Sequence, residues 1–470
     1  MNFGIIISGA IFAVTIIFRY LLPKLLEILL DKGIDTITRF FPKLCSSSRA
    51  KKSKQYHEAL SSESYKKFVF RILKKYYADG GDNGAFFPTI NDRIYSIIYF
   101  KGIPVQAKKS IRDFNFLCDK SGSILTFDLK QHKNYQHYGY YREYSELLVG
   151  LVKYPDRPGY MLDELKLNKK GEVAGIKVHV GTFAENVYST HVLEYELYSV
   201  YKKFKDRDIE NQTVWNELCF MLHRRNQIHN LAICKTKNGS AIRVHTSDLR
   251  QLYNSIRKFN NTHSLLSVQM LVIIKSSRTH KHELKIVRRS SKTVHYHGIY
   301  QFIPAGGFEV LNDSEDGIYS ESELRNECSA GYAVFREYLE ELLNRPEFEG
   351  NSTGNVEERL LKDPGILEIE EMIADKRAIF MFLGSVVGLE CLRHELSFLL
   401  LIEDEEYDAK NRFITNWESV KGRIEENVTI ENFESNEEIW RNLHGPSAGM
   451  WQLFKETDYY QRVLEADKRI

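Results

Sequence analysis

Arg336, Glu337, Glu340 and Glu341 are the residues of this sequence whose types and spacing most plainly suit chemistry. On a helix, side chains three and four positions apart share a face, so the three carboxylates would line one side with the arginine beside them. Left uncompensated, like charges at that spacing destabilise a helix by a few tenths of a kcal/mol per pair, on the order of 0.2–0.5. A hard divalent cation such as Mg²⁺ takes oxygen ligands and would supply the compensation. A solvated acidic helix face is the plainer alternative.

The elements around this motif fit a site carried on a sheet. Ser329–Asn344 reads as a helix whose other side is apolar (Tyr332, Phe335, Leu339, Leu342), stopped by Pro346. Before it, Leu265–Ser276 and Glu283–Val287 are strand-like, and Val294–Pro304 runs into Ala305-Gly306-Gly307-Phe308-Glu309. A polar, acidic insertion, Asn312–Asn326, reads as a loop. After the helix come a loop at Gly350–Asn355, a second helix around Ile366–Lys376, and strands at Ile379–Leu389 and Glu395–Glu403. Helical segments close the chain.

A strand ending in Gly-Gly, followed by a helix carrying R-E-x-x-E-E, resembles the Nudix box of the Nudix hydrolase superfamily. Gly307 matches the leading glycine of that box, and Arg336, Glu337, Glu340 and Glu341 match its core. The resemblance implies a mixed-sheet α/β/α sandwich. It also implies Glu337, Glu340 and Glu341 as ligands of Mg²⁺ or Mn²⁺, Arg336 with them in the catalytic set, and Gly306 and Gly307 as cofactor-binding backbone. Metal-activated water would then attack a phosphoanhydride in a nucleoside diphosphate derivative. The sequence departs from the pattern in four places. The gap from Gly307 to Arg336 is longer than the box allows, Cys328 stands where its first glutamate belongs, Tyr338 replaces an aliphatic, and Leu343 replaces the closing glycine. Position alone nominates Glu390 or Glu395 as a general base.

The rest of the chain frames this site. The net charge of +2 gives no electrostatic case for DNA or RNA binding. Six cysteines without a C-x-x-C pair argue against a zinc site or a disulfide framework and suit a reducing compartment. Phe3–Phe18 is uncharged and almost wholly apolar, and continuing to Leu22 past Arg19 gives the roughly 20 residues a spanning helix needs. Lys24, Arg39, Lys43, Arg49, Lys51, Lys52 and Lys54 follow it, which by the positive-inside rule puts the bulk of the chain in the cytoplasm, anchored to the inner membrane. The expected architecture is therefore α+β in four parts. These are a single transmembrane helix (1–22), an amphipathic, basic linker (23–57), a central mixed α/β region (58–262) and a Nudix-like domain (263–470). The aromatic, basic run Lys130–Arg142 is either a ligand-facing loop or a solvated hairpin.

An N-terminal anchor with a Nudix-like domain is similar to the TM–Nudix effectors of CBASS antiviral systems. That resemblance implies activation by a cyclic nucleotide made by a cGAS/DncV-like nucleotidyltransferase. Homo-oligomerisation would follow, then cell death by membrane disruption or nucleotide hydrolysis. Two other readings stand beside it: a membrane-tethered Nudix hydrolase with no immune role, and a Nudix-fold interaction protein without catalysis. Gly4, Ser8 and Gly9 offer a small-residue face for helix packing in the first case.

Overall fold

The computed structural model describes residues 58–78, 87–103, 158–229, 263–290, 298–311, 316–346, 356–411 and 423–470 for the most part, with a few shorter pieces between them. In chain order the elements that build the site are α1 (Glu63–Ala78), β1 (Ile97–Lys101), β2 (Pro158–Leu167), β3 (Val173–Thr182), α2 (Val192–Phe204), β4 (Ser267–Lys275), β5 (His282–Leu284), β6 (Ala305–Gly307), α3 (Ala330–Glu341), α4 (Pro364–Ala374), β7 (Ala378–Gly388), β8 (His394–Ile402), α5 (Gly445–Lys455) and α6 (Asp458–Asp467).

β4, β7 and β8 read as nearly unbroken apolar runs because both of their faces are covered. They form the middle of a six-stranded sheet in the order β5-β4-β8-β7-β1, with β6 pairing the same edge of β4 as β5 does. β4 and β8 run parallel; every other pair is antiparallel. A parallel pair needs a long crossover, and the chain between β4 and β8 supplies α3 and α4 within it. The sheet is thus mixed.

Side chains alternate across a strand, and the two sets go to two different cores. Val268, Met270, Leu396 and Phe398 pack under α3, where the rings of Phe335 and Phe380 meet edge-on at 4.8 Å. Leu271, Ile273, Leu399 and Leu401 pack under α5 with Met450 and Trp451. Gly449 lets α5 settle on the sheet, since a methyl there would lie 2.6 Å from Val386. α6 is pinned by His282, whose ring bonds Asp467 at 2.6 Å and Glu403 at 2.9 Å. Burial pulls the pKa of that ring down, but the two carboxylates outweigh burial and raise it to about 9.

Residues before 262 enter the same sheet and core. β1 pairs with β7 at the sheet edge, where Gly384 sits at φ +151° with the carbonyl of Phe100 only 2.1 Å from where a Cβ would stand. The β2–β3 hairpin lies alongside β6, with bridges from Gly159 to Glu309 and from Met161 to Leu265. The hydroxyl of Tyr160 donates to the Leu324 carbonyl at 2.8 Å.

One part of the expected fold class is corrected. The predicted transmembrane helix (1–22) lies outside the described residues, and so does nearly all of the linker after it. Among the described residues no helix is long and apolar enough to cross a membrane. The architecture described is mixed α/β without a spanning helix, and it lends no support to a single-pass inner-membrane placement. The physical weakness lies in the run itself: Phe3–Phe18 alone falls short of a span of about 20 residues and reaches it only by including Arg19. The run Lys130–Arg142 also lies outside the described residues. The insertion Asn312–Asn326, expected to be a loop, holds most of a helix, Glu321–Glu327, started by a capping box between Ser320 and Glu323.

Candidate active site

The two halves of the motif, far apart in sequence, meet in space. α3 begins at Ser329, whose hydroxyl accepts the N–H of Tyr332, and it crosses the sheet so that its acidic face lies over β6. Gly306 is the point of contact: a methyl there would sit 2.1 Å from the carboxyl of Glu337. Gly307 has no such constraint, since a methyl placed on it would have its nearest neighbour 3.4 Å away. The glycine with a steric duty is therefore Gly306, one residue before the one that matches the motif.

Arg336 organises the site. It is buried, donates to the carbonyl of Gly307 at 3.0 Å and to Glu309 at 3.4 Å, and pairs closely with Glu337. Burial alone would lower its pKa. Glu337, Glu309 and Glu340 outweigh that and hold the guanidinium above its ordinary range. Glu341 is also buried, and its carboxylate accepts the backbone N–H of Ala305 at 2.8 Å. Glu340 is half-buried on the same face. The site is thus a strand end clasped by two glutamates and an arginine, with Glu309 as an acidic neighbour that the motif does not include.

Three of the four departures from the box have a local counterpart in the structure. Glu327, one residue ahead of Cys328, is buried and accepts the N–H of Leu311 at 3.2 Å, so it closes the loop after β6. The Tyr338 hydroxyl meets that of Tyr407 at 2.6 Å inside the core. Leu343 fills the space over Gly365, where a methyl would come within 2.8 Å of it.

As donors, Glu337, Glu340, Glu341 and Glu309 have the all-oxygen chemistry a hard cation requires. Three of them are already engaged, Glu337 and Glu309 with Arg336 and Glu341 with the backbone. Among the described residues no three acidic, histidine or cysteine side chains stand as a ready-made metal cage.

Glu390 and Glu395 are not brought to this site. Glu395 pairs with Ser267, which pairs with Gly307, and the next rung, Leu396–Val268–Gly306, is the one that faces α3. By alternation Glu395 faces α5. Glu390 sits in the β7–β8 turn, and both line a separate cavity of about 370 Å³ between α1, that turn and the start of α5. The sequence carries no signal of this cavity, because its walls come from distant segments.

No protein-family model matches this chain, and no curated protein matches it either.

Proposed function

We propose that this protein is a Nudix-type hydrolase of nucleoside diphosphate derivatives, serving as the effector of a CBASS-like, nucleotide-signalled antiviral system. The observation that supports the chemistry is the seating of Glu337 in the space left by Gly306. A Gly-Gly strand end and an R-E-x-x-E-E helix come together there despite the insertion between them. Arg336 fixes Glu337 and ties it to the carbonyl of Gly307, so the acidic face is held at one position on the strand. Glu341 does the same from the other side through the Ala305 N–H.

Glu337, Glu340 and Glu341 are the residues that would hold Mg²⁺ or Mn²⁺, which when bound would activate water and polarise the phosphoryl oxygens. Glu340, the half-buried member, is the carboxylate nearest to solvent and hence to an incoming substrate. Arg336 keeps the carboxylates from spreading apart. In the effector role, the signal is a cyclic nucleotide made by a partner nucleotidyltransferase.

The test is hydrolysis by the purified full-length protein with Mg²⁺ or Mn²⁺, over a panel of nucleoside diphosphate derivatives and cyclic dinucleotides. Turnover that needs the metal and is lost in Glu340→Gln is the expected result. If no panel member is hydrolysed at any metal concentration, the hydrolase reading fails. Tight binding of one cyclic dinucleotide without turnover would make the protein a sensor instead.

A further inference from the structure

Arg336 is shared between two carboxylates, and it holds them unequally. One of its terminal nitrogens donates to the carbonyl of Gly307 at 3.0 Å and pairs closely with Glu337. The other reaches Glu309 at 3.4 Å, and Nε has no hydrogen-bond partner among the described residues. The Arg336 side chain is only 7% exposed. A cation buried this deeply needs an anion beside it, because a buried charge that loses its partner is strongly destabilising.

Glu309 is placed to be that anion from a fixed position. On either side of it the backbone is tied down: the Phe308 N–H donates to the Leu266 carbonyl at 2.9 Å, and the Val310 N–H donates to the Pro158 carbonyl at 3.0 Å. A bridge to Gly159 of the β2–β3 hairpin lies between these bonds. From this anchored point the side chain folds back over Gly307, with one carboxylate oxygen 3.5 Å from where a Cβ would stand. It is 29% exposed, against 11% for Glu337, so Glu309 is the outer of the two carboxylates. Charge-assisted N–H···O bonds run about 2.7–2.9 Å. The 3.4 Å contact therefore has room to shorten, while the Glu337 contact has none. The idle Nε supplies a further donor for a two-point bond.

A cation on the α3 glutamates asks for the carboxylate that Arg336 already uses. Sharing Glu337 between a guanidinium and a divalent ion would bring like charges together in a buried place, where their repulsion is poorly screened. We propose that Glu309 is a positioning residue for cation binding, taking over Arg336 when Glu337 turns to the ion. The guanidinium then has a partner in both states. This inference rests on the hydrolase reading of the α3 face, since it concerns the same ion. The exchange moves one salt bridge between residues already in contact, and the Gly307 carbonyl is the pivot that Arg336 keeps. It also gives a role to a carboxylate that lies against the arginine of R-E-x-x-E-E without belonging to that pattern.

The experiment is a titration of the full-length protein with Mn²⁺, followed by electron paramagnetic resonance. It is run on the unmodified protein, on Glu309→Gln and on Glu340→Gln, with a thermal melt of each in the absence of added metal. Glu309→Gln should bind Mn²⁺ about tenfold or more weaker, the usual cost of losing a residue that orients a metal ligand. Its metal-free melting temperature should stay within about 2 °C of the unmodified protein, because Glu337 still holds Arg336 there. A crystal structure of the unmodified protein with Mn²⁺ should show Arg336 on Glu309 and Glu337 on the ion. Mn²⁺ affinity that is unchanged in Glu309→Gln but weakened in Glu340→Gln would overturn this inference and leave the hydrolase reading standing. No Mn²⁺ binding by the folded, unmodified protein would overturn both. An Mn²⁺ structure in which Glu309 itself coordinates the ion, or in which Arg336 keeps Glu337, would overturn the exchange.

Discussion

The two faces of the central sheet handle buried carboxylates in opposite ways. Under α3, Glu337 and Glu341 are matched at once, one by Arg336 and one by the backbone of β6. On the α5 side, burial and the neighbouring Glu194 raise the pKa of Glu390, while Arg393 pairs with Glu395 and the deeper Arg225 holds carbonyls. Carboxylates buried side by side disfavour each other's ionised form. The α3 face therefore holds its carboxylates in a closed network, while the α5 side keeps Glu390 where its neutral form is favoured.

That contrast can be broken first at Arg336. Replacing it with alanine leaves Glu337 and Glu309 facing each other in a buried site, and removing one partner of a buried pair costs about 3–5 kcal/mol. Urea denaturation of Arg336→Ala should show a loss of that size. A loss below about 1 kcal/mol would mean the carboxylates are not held by the arginine, since exposed pairs are worth that little.

The next test is at the strand. Gly306→Ala pushes a methyl into the Glu337 carboxyl and should cost about 1–3 kcal/mol as overpacking. Gly307→Ala, with only ordinary contacts around it, should cost well under about 1 kcal/mol. Equal losses in the two variants would show that α3 does not close on β6 through Gly306.

On the cavity side the sign reverses. The pKa of Glu390 is raised from the ordinary 4.5 to about 7, so the folded state prefers its neutral form. That preference favours folding fully below pH 4.5 and is lost as the pH rises through about 7. The groups that face it are Glu194 on α2, Tyr65 on α1, Arg225 beneath the turn and Cys391 beside it. Glu390→Gln keeps the neutral form at every pH. Its denaturation midpoint should therefore gain on the unmodified protein between pH 4.5 and about pH 8, by thermal or urea melts at both ends. A constant offset across that range would place Glu390 in contact with solvent or with a cation.

Much of the sheet is legible in the sequence. The strands at Ala378–Gly388 and His394–Ile402 fall within a residue of their predicted limits, because long apolar runs admit few other readings. The helix Ala330–Glu341 is shorter than the predicted Ser329–Asn344 by its frayed end. The acidic face of that helix is legible too, since spacing alone fixes it. What is not legible depends on contacts between distant segments. Gly306 rather than Gly307 is chosen by where Glu337 lands, and the bulge between Phe382 and Gly384 in the β7–β8 ladder, from which the pairing with β1 begins, is announced by no pattern. The cavity is the extreme case: Glu194, Glu390 and His444 come from three separate parts of the chain. The helix at Glu321–Glu327 does carry a sequence signature, because S-x-x-E at Ser320 and Glu323 is a capping box, but the polar composition around it outweighs that signal and reads as loop.

The central claim, that the acidic face of α3 is a cation-dependent nucleotide site, is reached most directly by titrating the full-length protein with Mn²⁺ and following free Mn²⁺ by electron paramagnetic resonance. One class of site, weakened about tenfold or more in Glu340→Gln at unchanged melting temperature, is the predicted result. Mn²⁺ binding that is absent, or identical in the variant, would contradict the claim and leave Arg336, Glu337 and Glu341 as a clasp that only holds the fold together.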